Sequence, residues 1–553
     1  MEAIYPIILT PQSRILALLS IAAIVIIIYL GLHYDRRLNT IPGPRCLSPL
    51  GIGYKLPPKA PALFRAWAME YGDLFRIRVG FYNWVVINSP DAIREILEKQ
   101  AVSTSSKAPS PLGHDIVTAG RRMPTMPYGP HWRAQRSVVR RITTVQMVST
   151  FVPSQEFEAK QLVFDLAVDS ENNMGAQTIF YQHMRRYAFS IIMTNTFGVR
   201  VKSWDHEDAQ NAVRSQKILR ETSRPGAFLV DEIPLLARLP TWLQPGRGRA
   251  IKAARQIREI KMGLWQRMER QFISGKAPHC FARSILEGKD AWYAQGLDEE
   301  DLAWVAGGLV EAGFETTAAT LNSLILRLAA DLSVQEKAHE ELLRAVGSGR
   351  PPVFADMQNL PYIRACVKEI LRMNPILAPG IRHFADQDIT YKGHVIPKGT
   401  VLLANTAFLH YDPNRFERPF EFIPERYLDH PLYSSEYAAM SDPYKRDHFT
   451  FSTGRRTCPG ARLAENSLNV ALAKILWAFE IRPPVVNGVE AEMDLSDNAY
   501  PDGGFTIPKP FAVRFVPRSE ERLAILKHEW KTASQQGYEL RGVAVDVDGV
   551  VQD

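Results

Sequence analysis

Cysteine is scarce in this chain: four residues in 553, at positions 46, 280, 366 and 458. Spaced so widely, they form neither a disulfide framework nor a zinc-ligand pattern, and they suit a reducing, cytosol-facing environment. No Lys/Arg run of the kind that tracks a nucleic-acid backbone is present, which argues against nucleic acid as a partner. Net charge is +7, from 66 basic and 59 acidic residues. So mild an excess fits an acidic protein partner or an anionic membrane surface. No Pro/Gly/Ser linker or charge block divides the middle of the chain, so one large domain with short ends is expected despite the length. No Gly-rich nucleotide fingerprint follows a strand, and no residues are left over for a flavin domain.

One long apolar run is present, at the N-terminus. Residues 15–32 carry no charge and are mostly Ile, Leu and Ala, near the lower limit for crossing a bilayer. Tyr29 and Tyr34 suit an interface, and Arg36 and Arg37 follow, placing the C-terminal side in the cytosol. The run is long for a cleaved signal peptide, and no clear small-x-small site follows it. A single-pass anchor over 15–34 is therefore expected, with 1–14 on the lumenal side. Residues 35–50 contain Ile41-Pro42-Gly43-Pro44 and read as a stiff proline hinge.

The most informative segment is Phe451-Ser-Thr-Gly454-Arg-Arg456-Thr-Cys458-Pro459-Gly460. It presents one sulfur in a Gly/Pro frame, just ahead of an apolar helix expected from Ala461 to Phe479. Backbone N–H groups in such a turn hydrogen-bond a thiolate, and the following helix N-terminus favours its charge. Glycine lets the backbone approach a flat macrocycle. Arg456 is placed to pair with a carboxylate of that macrocycle. The pattern Phe-x-x-Gly-x-Arg-x-Cys-x-Gly resembles that of the cytochrome P-450 family of haem-thiolate monooxygenases, with Ser452 standing where the family most often has glycine.

Further motifs carry the same resemblance. Asp298, with Asp301 three residues on, caps a helix expected to run to about Asp331. Inside it lies Ala312-Gly313-Phe314-Glu315-Thr316-Thr317. A carboxylate and hydroxyls in an apolar helix are costly unless used. The resemblance implies that Glu315 relays protons, that Thr316 orders a water beside bound oxygen, and that Gly313 opens a groove for the oxygen molecule. Trp132-x-x-x-Arg136 places two donors one helical turn apart; in the resembled family such a pair reaches the haem propionates. Arg133, Arg136 and Arg140 also share a helical face, which reads as a docking surface for an acidic electron donor. Glu369 and Arg372 lie at i, i+3, and Phe422-Ile-Pro424-Glu425-Arg426 follows. The resemblance implies a buried triad of Glu369, Arg372 and Arg426 behind the cysteine loop. Arg382-His383 stands where the family has Pro-Arg or Pro-His, and either residue is a candidate propionate ligand.

The expected fold is mainly α with a small β-sheet region, a P-450 fold of one large haem domain (51–517) behind the anchor. Short strands are expected at Phe75–Val79 and Trp84–Asn88. Residues 107–130 read as a long loop. Residues 225–245, apolar and broken by prolines, read as a lid that dips into lipid. The tail, 518–553, begins as an amphipathic helix, looks frayed from Gly542, and is given no chemistry. The resemblance implies haem b with an axial thiolate from Cys458, framed by Phe451 and Gly460. It also implies O2, a lipophilic small-molecule substrate, and electrons from NADPH through a cytochrome P-450 reductase at the endoplasmic reticulum membrane. The flavour is that of membrane-bound fungal enzymes of secondary metabolism. A haem-thiolate isomerase or dehydratase and a non-catalytic haem-binding protein stay open as other classes; Glu315-Thr316 argues against both.

Overall fold

Asp298 starts the helix around which the domain is built. Its side chain accepts the N–H of Asp301 at 2.8 Å, and Asp301 returns the bond to the N–H of Asp298 at 3.0 Å. This capping box satisfies two of the helix's orphan donors, and the helix runs Glu299–Ala330, as the sequence predicts. It packs against the helices Phe180–Phe197, Arg247–Ile273 and Ala461–Ala478. The computed structural model describes residues 35–45, 51–52, 60–172, 178–224, 226–233, 235–378, 380–501 and 505–550, with three isolated positions at 12, 16 and 20.

A four-stranded sheet stands beside this helical body. Leu74–Val79 pairs antiparallel with Tyr82–Ile87, which runs parallel to Val401–Ala404; Arg382–Phe384 closes the other edge antiparallel. Phe75, Ile77, Trp84, Val86 and Leu403 bury one cluster against Phe64 of the helix Ala60–Tyr71, the alternation a half-buried sheet needs. The mainly helical fold with a small sheet is as expected. No helix among the described residues is long and apolar enough to cross a membrane; apart from the isolated positions 16 and 20, the anchor expected over 15–34 lies outside them.

Two expectations are refined. Residues 107–129 hold only turns, and Arg121 ties them to the central helix through Asp298 and Asp301, both at 2.7 Å. The lid is a chain of short turns, Leu229–Glu232, Leu236–Arg238 and Thr241–Leu243, with Leu229, Trp242 and Leu243 exposed. Asp231 joins lid to loop: its carboxylate accepts bonds from Ser110 Oγ and from the N–H groups of Leu112 and Gly113, at 2.7–2.9 Å.

As far as Val550 the tail is packed, not frayed. The helix Glu520–Gln536 leads into a hairpin, Tyr538–Leu540 with Val543–Val545. Its two-residue turn, Arg541-Gly542, has both φ angles positive (55° and 77°), as right-handed strand twist favours. Tyr538 and Trp530 pack on Phe157, and Nη1 of the buried Arg200 donates to the carbonyl of Val547 at 2.6 Å. Nε of Arg200 also holds the buried Glu158 at 2.8 Å. A chain ending at Gln536 loses the buried Leu540 and Val545 and this bond. We expect it to be less stable by about 3 kcal/mol, seen as a lower urea midpoint. An unchanged midpoint would make the hairpin ornamental.

Candidate active site

The cysteine loop is built on local hydrogen bonds. The N–H of Cys458 donates to the carbonyl of Phe451 at 2.8 Å, and that of Ser452 to Phe449 at 2.9 Å. Gly454 has φ +61°, and a Cβ there would lie 2.7 Å from the carbonyl oxygen of Leu97, so only glycine fits. Ser452 has φ +63°, a left-handed conformation that costs a residue with a Cβ about 1 kcal/mol. This is where the usual glycine is missing, and the loop survives it. Gly460 is the N-cap of Ala461–Ala478.

Cys458 keeps accessible surface although protein encloses it, so its sulfur faces an interior chamber and not bulk solvent. Burial pushes its thiol pKa up; the N–H of Gly460, the Arg136 guanidinium and the N–H of Ala461 pull it back. Cys280 and Cys366 are fully buried, and burial drives their thiols to about 12 and well above the ordinary value. Of these three, Cys458 is the one facing open space beside a cation.

Around that chamber lies a group of cations without carboxylates. Arg136 is buried and donates from Nη2 to the carbonyl of Thr457 at 2.5 Å. It has therefore turned inward from the basic stripe predicted for Pro130–Ile142, leaving Arg133 and Arg140 exposed. Arg456 stacks on Trp132, 4.4 Å from the ring centroid. It spends three of its five N–H groups on the carbonyls of Ser105, Met123 and Met126. Burial, then the charge of Arg136, lowers its pKa to about 10. Lys107 donates to the carbonyl of Arg382; burial, then Arg456 and Arg382, hold its pKa well below the ordinary value. Sequence reasoning missed Lys107, a lone lysine in an aperiodic loop.

Strand alternation settles where Arg382 and His383 go. His383 is buried, with Nδ1 3.0 Å from the carbonyl of Thr104, and feels the charges of Lys107 and Arg456. Burial foremost lowers its pKa to about 3, so it is neutral. Arg382 keeps accessible surface although protein encloses it, as Cys458 does, and lies over Trp84, 5.8 Å from the ring centroid; burial foremost lowers its pKa.

Among the described residues, none of Lys107, Arg136 and Arg456 has a carboxylate within 4 Å, whereas other lysines and arginines form 34 such pairs. Nε1 of Trp132 and Nε of Arg136 are buried with no acceptor. Uncompensated buried cations and donors are costly. Here they fit a macrocycle that brings two carboxylates and takes an axial thiolate, the chemistry of haem.

The central helix forms the facing wall. Ala312 and Thr316, one turn apart, are its exposed positions in a stretch otherwise buried or half-buried. Oγ1 of Thr316 donates to the carbonyl of Ala312 at 2.9 Å. One expectation is corrected. Gly313 does not open toward the chamber: a Cβ there would lie 2.7 Å from Ile192 of Phe180–Phe197, so the glycine serves helix–helix contact. Glu315 is held by Arg220 of Glu207–Ser223, which meets both its oxygens at 3.1 Å.

Behind the loop, Glu369, Arg372 and Arg426 are joined by hydrogen bonds. Arg372 meets Glu369 through two bonds of 2.8 Å, and Arg426 reaches the same carboxylate at 3.3 Å. His410, unforeseen, links triad to loop. Its Nδ1 lies 2.7 Å from the carbonyl of Arg372, and its Nε2 accepts the N–H of Phe449 at 2.8 Å. Burial holds its pKa well below the ordinary value, so the ring is neutral, donating on one side and accepting on the other. Phe451 packs 5.6 Å from His448.

Comparison with known proteins agrees with this geometry. The family model for Cytochrome P450 matches residues 41–511. The chain is 68% identical over 539 residues to cytochrome P450 monooxygenase pgmC of Aspergillus terreus, covering 98% of each protein. It is 34% identical to cytochrome P450 monooxygenase verL of Clonostachys rogersoniana, over 91% of this chain and 92% of the relative. It is 31% identical to cytochrome P450 monooxygenase patH of Aspergillus clavatus, over 95% and 98%.

Proposed function

The chain belongs to the cytochrome P450 family of haem-thiolate monooxygenases, and we propose from that premise that it inserts one oxygen atom of O2 into a lipophilic small molecule of fungal secondary metabolism. The observation that carries this reading is Cys458, enclosed, fed by two N–H donors, and set beside cations that have no carboxylates.

Haem, when bound, supplies the oxygen-activating iron, with a thiolate that favours O–O cleavage. Cys458 is its ligand. Trp132, Arg136, His383 and Arg456, with Lys107, hold its carboxylates; for His383 this requires protonation at Nε2 or a bridging water. Thr316 Oγ1, its hydrogen engaged by Ala312, presents lone pairs that accept a hydrogen bond from water in the chamber. Glu315 is a proton donor kept in reserve: it serves Thr316 only after leaving Arg220, whose side chain reaches solvent.

Electrons come from NADPH through a membrane-bound cytochrome P450 reductase, docked at Arg133 and Arg140. The apolar run at 15–34 anchors the chain in the endoplasmic reticulum membrane with the domain in the cytosol. Leu229, Trp242 and Leu243 touch lipid, and apolar substrates arrive there.

The test is the carbon monoxide difference spectrum of dithionite-reduced protein in membranes, followed by NADPH and O2 consumption with reductase present. A strongly red-shifted Soret band with coupled consumption is expected. A band typical of histidine-ligated haem would overturn the ligand assignment. A red-shifted band without consumption would favour an isomerase or a haem-binding protein.

A further inference from the structure

One ionic cluster above the chamber is left unused by this mechanism. Glu311 immediately precedes Ala312 on the central helix and is shared by two cations. Arg122 reaches its Oε1 through Nε at 2.7 Å and through Nη2 as well; Lys261 of Arg247–Ile273 reaches Oε2 at 3.2 Å. Gln216 donates to the backbone carbonyl of Glu311. Lys261 also lies 4.8 Å from the Trp304 ring centroid. The Glu311 and Lys261 side chains are 9% and 4% exposed.

Two cations against one carboxylate leave a net positive charge in an apolar roof, where Leu112, Val117, Leu219, Phe228 and Trp304 pack together. The acids nearby are engaged elsewhere: Asp231 by the loop at 110–113, Asp298 and Asp301 by Arg121, and Glu315 by Arg220. His114, between Thr118 and Thr125, is neutral: burial, then the charge of Arg122, lowers its pKa to about 4. Pinning the loop to the helix needs only one cation on Glu311. The second leaves charge over, and buried charge is retained at a cost unless something completes it.

Arg122 is the member open to a ligand. Its side chain is 21% exposed; Nε and Nη2 are on Glu311, and no hydrogen bond from Nη1 is seen among the described residues. Its neighbour Met123 gives its carbonyl to Arg456, two residues before Cys458, so Arg122 stands at the chamber's edge. We propose that Arg122 is a specificity residue that binds a carboxylate on an otherwise apolar substrate, with Glu311 and Lys261 fixing its guanidinium. The apolar body then points toward Cys458. This rests on the monooxygenase reading above and names the substrate class for the same chamber.

The test is a spectral titration of haem-loaded, full-length protein with 2-naphthoic acid and with methyl 2-naphthoate, alike in shape and differing in charge. The acid is expected to bind about tenfold more tightly or better. Arg122→Gln should bring the two together, mainly by weakening the acid, and Arg122→Lys should keep part of the preference. Equal binding of acid and ester by the native protein, or no binding of the acid, overturns the proposal even if Arg122→Gln fails to fold. So does an acid preference that survives in Arg122→Gln. A red-shifted carbonyl band without acid preference sinks this inference alone; absence of that band sinks the functional reading.

Discussion

Replacing Glu369 by alanine is expected to cost about 3–5 kcal/mol and to yield protein that takes up little haem. The carboxylate is fully buried and is the common partner of Arg372 and Arg426; it also accepts the N–H of Ile423 at 3.0 Å. Removing it leaves two guanidinium groups in the interior with no counter-charge, which is what makes breaking a buried pair so destabilising. The damage should reach the cysteine loop along a short path. Arg372 holds His410 through its backbone carbonyl, His410 holds the N–H of Phe449, and Thr450 Oγ1 donates to the carbonyl of Leu371. Thermal unfolding together with the haem-to-protein ratio checks this. A variant that melts lower but loads fully would mean that the triad stabilises the fold without shaping the loop.

Cys458→Ala is expected to abolish the red-shifted carbonyl band and turnover while leaving the fold intact. The side chain fills no packed position, because it faces the chamber, so little stability is at stake. The chemistry is another matter: among the described residues no other thiol can substitute. Cys280 and Cys366 are buried, and their pKa values are pushed far up. Cys458→His should shift the carbonyl band to the histidine-ligated position. A normal spectrum in Cys458→Ala would remove Cys458 as the ligand.

Motifs whose local chemistry is self-contained were legible before the structure. The capping box at Asp298, the Gly/Pro frame of Cys458 and the i, i+3 pair of Glu369 and Arg372 each depend on neighbours in sequence. What was not legible depends on which element packs where. A glycine in a helix permits close approach on whichever side another helix lies, and for Gly313 that side is set by Ile192, more than a hundred residues away. Arg136 carried two readings, an inward donor beside Trp132 and a member of a basic docking face, and its bond to the loop carbonyl of Thr457 takes it off the second. Lys107 and His410 are isolated residues whose meaning lies wholly in tertiary contact. The C-terminal hairpin was a different matter. Tyr538-Glu-Leu-Arg-Gly-Val-Ala-Val545 alternates around an Arg-Gly turn, a strand signal local to the sequence.

Asp231 makes the roof open as a unit. Its carboxylate takes three short bonds from residues 110–113, and bonds to an ionised acceptor are among the stronger ones a surface segment makes. The lid therefore cannot lift away alone. Either it carries the loop with it, dragging the segment that also holds Arg121 and Arg122, or all three bonds break together. Opening of this face then has two positions, one with all three bonds made and one with them broken, and Asp231 is the acceptor common to all three.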